Sequence, residues 1–207
     1  MPASVNYSLY LVTDDAARCR LGLLDTVAEA VAGGATVVQY RAPHRQKRLA
    51  YEEALALRQL LAPQKVPLII NDHADLALAV EADGVHVGQR DLPAAAVRQI
   101  IGPGKLLGLS ISSAAQLAAT DFSLLDYIGI GPVFTTQTKL DAAPVVGPET
   151  LAQLVRQSWV PVVAIGGISL RNASSVWETG VNGLAVVSAV CGAASPRAAA
   201  QALLQAR

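Results

Sequence analysis

Short runs of apolar residues alternate along this chain with longer amphipathic stretches. The runs are typical of strands buried on both faces of a parallel sheet, and the longer stretches have the spacing of helices. The pattern predicts eight strands, at Tyr7–Thr13, Thr36–Arg41, Val66–Ile70, Gly84–Val87, Leu106–Ser110, Tyr127–Phe134, Val160–Ile165 and Gly183–Val190. It also predicts eight helices, at Leu23–Ala32, Leu49–Leu61, Ala74–Val80, Pro93–Ile101, Ala114–Ala119, from Pro148 onward, Asn172–Glu178 and Pro196–Leu204.

Eight regular strand–helix units predict the α/β class and a (β/α)8 TIM barrel. A doubly wound open sheet is the alternative, but the regularity of the units favours closure. Neither a linker nor a shift in composition divides the chain. Residues 1–207 are therefore expected to form a single domain.

Composition narrows the classes of function that need to be considered. The chain has 207 residues, of which 52% are hydrophobic and 15% charged, and its net charge is zero. This balance predicts no nucleic-acid partner, and Cys19 and Cys191 are too far apart for metal-type spacing. No apolar run is long enough for a bilayer, and the first residues lack the features of a signal peptide. We expect a soluble, cytoplasmic protein with small-molecule substrates and no membrane partner, of undetermined oligomeric state.

Two acidic residues follow neighbouring strands of the predicted barrel. Asp72 comes directly after the third strand and Asp91 shortly after the fourth. Parallel strands place their carboxyl ends on one side of the sheet, so the two carboxylates are expected side by side. Such a pair is costly without a cation, and Mg²⁺ that also binds substrate phosphates suits it. The alternative is that each Asp caps the helix that follows.

Groups suited to binding a polyanion follow other strands. Arg41 and Lys139 can neutralise phosphate oxygens, and the Gly166–Gly167 turn lets backbone approach a ligand closely. Hydroxyl and amide groups at the same rim are those of Gln39, Asn71, Gln89, Ser110, Thr135, Thr136, Thr138 and Ser188. Two phosphate-binding regions and a metal pair above a plain apolar interior predict that two phosphorylated substrates meet there.

Each of these residues also has an ordinary structural interpretation. Gly166–Gly167 could be a simple tight turn, Lys139 a solvated surface lysine, and Ser110 and Ser188 helix caps. His86 is interpreted as a wall residue, and nothing in its spacing indicates ligation. The concentration of charged and hydroxyl groups on one rim favours the functional interpretation.

Six segments together resemble the thiamine-phosphate synthase family, from the first strand to the eighth. They read VQYR, IINDHADLA, ADGVHVGQRD, GLS, DYIGIGPVFTTQTK and VPVVAIGGI. The resemblance implies a transferase that joins hydroxymethylpyrimidine diphosphate to a thiazole phosphate. It releases pyrophosphate and forms thiamine phosphate in a Mg²⁺-assisted dissociative substitution.

The resemblance also assigns roles to residues. It implies that Asp72 and Asp91 bind Mg²⁺, and that Arg41, Lys139 and Ser110 are catalytic. The residues implied for the pyrimidine diphosphate are Gln39, Arg41, Asn71, Ser110 and Lys139. Those implied for the thiazole phosphate are Thr136, Gln137, Thr138, Gly167, Val187 and Ser188.

One position departs from the family pattern. Pro43 stands where the family usually carries a lysine, so a diphosphate contact is either missing or supplied by His44, Arg45 or Lys47. This departure leaves open a catalytically silent barrel that binds a phosphorylated ligand. The close alternative is a thiazole tautomerase, from a sister group that shares the fold. Tautomerases tend to lack the paired Asp motifs and carry a histidine after the fifth strand, where this chain has Ser110. Both features favour the synthase.

Overall fold

The computed structural model describes residues 5–13, 19–136, 138 and 143–207. Its parallel strands close into a barrel in chain order, from β1 round to β8, which pairs with β1. The TIM barrel predicted from the sequence is confirmed. The strands are β1 Leu9–Val12, β2 Val37–Tyr40, β3 Leu68–Asn71, β4 Gly84–Val87, β5 Leu106–Ile111, β6 Tyr127–Ile130, β7 Val162–Ile165 and β8 Gly183–Val186.

Helices connect the strands on the outside of the barrel. They are α1 Leu23–Ala32, α2 Lys47–Leu61, α3 Ala74–Ala79, α4 Ala94–Ile101, α5 Ala114–Ala118, α6 Pro148–Gln157, α7 Ala173–Trp177, α8 Ser188–Cys191 and α9 Pro196–Gln205, with 3₁₀ turns at Ala62–Gln64 and Phe122–Leu124. None of the helices in the described ranges is long and apolar enough to cross a membrane.

The predicted ends of two strands were wrong. β6 ends at Ile130 rather than Phe134, because Pro132 follows and has no N–H to donate to a ladder. β8 ends at Val186 rather than Val190, and residues 188–191 instead form the short helix α8. The described residues therefore form one more α-helix than the pattern predicted.

The hydrophobic residues form two layers around the barrel wall. Alternate positions of β2 show the division, because Val37 packs inside the barrel while Val38 and Tyr40 pack against the helices. On the helix side, α2 buries Ala50, Ala54, Leu57 and Leu61, which recur at helical spacing on one face. This outer layer supports the barrel, so the inward positions near its carboxyl end are available for a site.

The opposite end of the barrel is closed by a recurring side-chain contact. In four places the side chain just before an even-numbered strand accepts a hydrogen bond from a backbone N–H of the odd-numbered strand beside it. The pairs are Thr36 with Leu9 (3.1 Å), Asp83 with Leu68 (2.8 Å), Asp126 with Leu107 (2.8 Å) and Asn182 with Val162 (2.7 Å). These contacts satisfy N–H groups at the amino ends of the odd-numbered strands, so that face of the barrel contributes stability.

Candidate active site

The predicted carboxylate pair lies at the carboxyl ends of β3 and β4. The Asn71 side-chain N–H donates to Asp72 Oδ2 at 2.6 Å, and the Gly88 backbone N–H donates to Asp91 Oδ2 at 2.8 Å. Asp72 adopts a left-handed backbone conformation with φ of 62°, which is uncommon for a non-glycine residue and tends to occur at functional sites.

Neither aspartate caps the helix that follows it. The residues at the capping positions of α3 and α4 are His73 and Pro93, and neither helix has a side-chain cap. The capping alternative is therefore wrong for both Asp72 and Asp91, and their position on the rim needs another explanation.

Electrostatics supply that explanation. Burial, followed by the adjacent Asp91 carboxylate, raises the pKa of Asp72 to about 6, and the Asn71 hydrogen bond and the charge of Arg41 only partly offset these effects. Two carboxylates held together in this way repel each other, and a cation between them would relieve the repulsion.

The donor set of this pair fits Mg²⁺. The aspartates line a cavity of about 370 Å³ with His73, Ala74, Asp75, Leu92 and Ile100. Within the described residues, no group of three or more His, Cys, Asp or Glu side chains could hold a metal. A site with few protein ligands suits Mg²⁺, which keeps several waters and takes the remaining oxygens from substrate phosphates.

Arg41 is held at the rim through its backbone. Its N–H donates to Thr13 Oγ1 at 3.0 Å, and the same hydroxyl donates to the Arg41 carbonyl at 3.4 Å. Thr13 is buried at the end of β1 and was not among the predicted site residues. Its polar side chain at the end of an apolar strand was the signal that could have identified it.

The two basic residues expected to compensate for Pro43 have different partners. Arg45 pairs with Glu53 at 3.0 Å, and Glu53 also accepts the hydroxyl of Tyr40 at 2.6 Å. Lys47 pairs with Asp75 at 2.7 Å, and Asp75 lines the cavity of the carboxylate pair. The structure therefore places Lys47 beside the cavity and holds Arg45 against α2.

The opposite part of the rim carries the predicted phosphate turn. Gly166 and Gly167 have φ values of 102° and 66°, and a Cβ on Gly167 would lie 2.6 Å from the Thr135 carbonyl oxygen. Glycine is therefore required both by conformation and by the close approach of the β6–α6 loop. In that loop, the Thr138 N–H donates to Thr136 Oγ1 at 3.2 Å. The predicted site residues Gln137 and Lys139 lie outside the described residues.

Asn172 fixes this turn from below. Its side chain donates to the Gly167 carbonyl at 3.0 Å and accepts the Ser169 N–H at 2.8 Å. Sequence reasoning placed Asn172 only at the start of a helix.

Ser188 begins α8, whose capping residue is Val187, so the side chain of Ser188 does not cap this helix.

The sequence predicted a plain apolar barrel interior, and this prediction was wrong. His86 bonds Ser110 Oγ through Nε2 at 2.9 Å and the Tyr127 hydroxyl through Nδ1 at 3.0 Å. Ser110 is likewise not a cap, because Ser113 caps α5. The glycines of β5 and β6 were the missed signal, since the side chains they lack leave room for these rings.

Comparison with known proteins adds to this geometry. A profile described as thiamine monophosphate synthase matches residues 9–190. Thiamine-phosphate synthases of Azorhizobium caulinodans and Laribacter hongkongensis are 48% and 50% identical to the chain, each over 98% of it and 96% of the relative. The structure of a thiamine phosphate pyrophosphorylase from Pyrococcus furiosus superposes with a TM-score of 0.88 at 37% identity, over 98% of this chain and 96% of that one. The chain belongs to the thiamine monophosphate synthase family.

Proposed function

We propose that this enzyme joins hydroxymethylpyrimidine diphosphate to a thiazole phosphate, as a transferase that releases pyrophosphate and forms thiamine phosphate. Family membership supports the activity, and the observation that carries it here is the carboxylate pair of Asp72 and Asp91 beside Arg41. In the reaction, the bond between the pyrimidine methylene carbon and the diphosphate oxygen breaks, and the thiazole nitrogen forms a new bond to that carbon.

The carboxylate pair would hold Mg²⁺. The raised pKa of Asp72, caused first by burial and then by Asp91, supports a cation beside the pair, and the Asn71 amide holds the Asp72 carboxylate in place. When bound, the ion would neutralise charge on the diphosphate oxygens. No proton has to be removed from either substrate, which agrees with a site that relies on charge and positioning rather than on a general base.

The remaining residues of the rim divide between the two substrates. Arg41 would contact the diphosphate with Lys139 and counter the charge that develops on the leaving pyrophosphate. Gln39, Asn71 and Ser110 would orient the pyrimidine, and all three lie near the carboxyl ends of their strands. The residues proposed for the thiazole phosphate are Thr136, Gln137, Thr138, Gly167, Val187 and Ser188.

Substitution of the carboxylates tests this proposal. Asp91→Asn keeps the size of the side chain and removes its charge, so it should reduce pyrophosphate release at least about a hundredfold while the melting temperature does not fall. Arg48→Ala is the matched control, because Arg48 pairs with Glu52 on the exposed surface of α2. Full activity of Asp91→Asn would overturn the assignment of the metal site.

The catalytically silent barrel is the second candidate. Pro43 is the observation in favour of a silent barrel, because the usual lysine is absent there. Binding of both substrates without pyrophosphate release would support that alternative. The cytoplasmic location and the absence of nucleic-acid and membrane partners remain predictions.

A further inference from the structure

A continuous series of hydrogen bonds, called the relay below, crosses the inside of the barrel between two of the proposed pyrimidine-binding residues. It runs through Gln39, Tyr10, Tyr127, His86 and Ser110. The successive donor–acceptor distances are 2.9, 2.7, 3.0 and 2.9 Å. The relay thus starts on β2 and ends on β5, and it uses side chains from β1, β6 and β4 between them.

Glycines make room for this chain. Gly108 pairs with both His86 and Tyr127 in the strand register, and a Cβ at Gly108 would collide with both of their rings. A Cβ at Gly129, which pairs with Ser110, would lie 3.2 Å from the His86 ring. β5 and β6 therefore carry glycine at two positions beside the rings of His86 and Tyr127, which indicates a built arrangement rather than a chance contact.

The direction of the hydrogen bonds can be worked out from one end. The Gln39 side-chain N–H donates to the Tyr10 hydroxyl. In the part of the chain that the structure describes, the other partner of that hydroxyl is Tyr127, so Tyr10 donates its single proton there. Tyr127 in turn donates to His86 Nδ1. A neutral imidazole that accepts at Nδ1 carries its proton on Nε2.

The consequence appears at Ser110. His86 Nε2–H donates to Ser110 Oγ, so the serine proton is left to donate to another group. At the other end, the Gln39 amide nitrogen is engaged with Tyr10, which leaves its carbonyl oxygen as an acceptor. The two ends of the relay thus offer a donor at Ser110 and an acceptor at Gln39. This pair matches an N-heterocycle that has an amino group next to a ring nitrogen.

We propose that Tyr10, Tyr127 and His86 are positioning residues that fix Ser110 as a hydrogen-bond donor and Gln39 as an acceptor for an aminopyrimidine. This inference rests on the proposed function. Burial also raises the pKa of Tyr10 and of Tyr127 above the ordinary value, so both phenols keep the protons that the relay needs.

Substitutions in the middle of the relay test it without touching the substrate. Tyr10→Phe and Tyr127→Phe each interrupt the hydrogen-bond relay. We expect the KM for the pyrimidine diphosphate to rise about tenfold, while the KM for the thiazole phosphate stays within about twofold. Tyr40→Phe is the control, because Tyr40 is also buried and hydrogen-bonded, but outside the barrel and to Glu53. Equal changes in both KM values would overturn the relay.

Conservative substitutions of His86 separate positioning from packing. His86→Gln can keep a donor near the position of Nε2, whereas His86→Asn can reach only the Tyr127 side. We therefore expect the KM for the pyrimidine diphosphate to be at least about fivefold lower in His86→Gln than in His86→Asn, at comparable melting temperatures. If both variants behave alike, His86 does not act through Ser110.

Nitrogen-15 NMR measures the tautomer directly in the ligand-free protein. The spectrum should show His86 with a protonated Nε2 and an unprotonated Nδ1, assigned by comparison with a variant in which His44 and His73 are replaced by Gln. The opposite tautomer would mean that Ser110 donates to His86, and it would overturn the proposal. This readout does not require turnover, so an enzyme that fails to release pyrophosphate would contradict the proposed function and leave the relay to be judged on the tautomer.

Discussion

Magnesium affinity should depend on pH through Asp72. In the metal-free protein the pKa of this carboxyl is raised to about 6, first by burial and then by Asp91, and a carboxylate must lose its proton to bind the ion. The apparent dissociation constant should therefore be multiplied by one plus the ratio of protonated to deprotonated Asp72.

The size of the effect follows from that pKa. With a pKa near 6, the factor is about 1.03 at pH ~7.5 and about 11 at pH ~5, so the affinity should weaken about tenfold between them. With an ordinary pKa near ~3.9 the factor at pH ~5 would be only about 1.1. The two cases therefore differ by roughly an order of magnitude.

Calorimetric titration of the ligand-free protein with Mg²⁺ measures both the affinity and the protons released. In buffers of different ionisation enthalpy, about 0.9 proton should be released per ion at pH ~5 and almost none at pH ~7.5. An affinity that does not change with pH, with no proton release, would refute the account of the pair.

The sign of the same shift predicts an effect on stability. A raised pKa in the folded state means that the fold binds the proton of Asp72 more tightly than the unfolded chain does. Protonated Asp72 therefore stabilises the metal-free fold at low pH, and this stabilisation is lost as pH rises through about 6. Asp72→Asn should therefore raise the melting temperature of the metal-free protein at pH ~7.5 and abolish the heat of Mg²⁺ binding. A lower melting temperature would show that the carboxylate supports the fold.

Four further substitutions test other parts of the molecule. Gly167→Val should raise the KM for the thiazole phosphate far more than that for the pyrimidine diphosphate. Equal effects on both KM values would show that the turn does not bind the thiazole phosphate. Lys47→Ala should weaken pyrimidine diphosphate binding about tenfold at low salt and Pro43→Lys should change it little, whereas no effect of Lys47→Ala would place that loop clear of the substrate. Arg98→Ala should lower the free energy of unfolding by about 2–4 kcal/mol with kcat unchanged, because this half-buried side chain bonds several carbonyl groups at the stabilising end of the barrel. An unfolding free energy within about 0.5 kcal/mol of the original would contradict that role.

The fold could be predicted because periodicity reports burial directly. Each strand that is covered on both faces reads as an apolar run, and the eight runs fixed the order of the barrel. Strand ends were less certain, because an apolar residue such as Val190 can be buried equally well by a strand or by the short helix that forms there. Hydrophobicity does not distinguish the two.

The position of the carboxylate pair was also predictable, since parallel strands end on one side. The interior relay was not predictable, because His86 and Tyr127 are distant in sequence and meet only through the register of β4, β5 and β6. The contacts at the opposite face, such as that of Asp83 with Leu68, were missed for the same reason. In each case two residues of ordinary type acquire a role through the register of neighbouring strands.

The proposed reaction is best tested by incubating the enzyme with hydroxymethylpyrimidine diphosphate, thiazole phosphate and Mg²⁺ and measuring pyrophosphate and thiamine phosphate together. We expect equal amounts of both products, formed only when both substrates are present and lost in Asp91→Asn. The absence of pyrophosphate, or its formation without the thiazole phosphate, would contradict the proposed reaction.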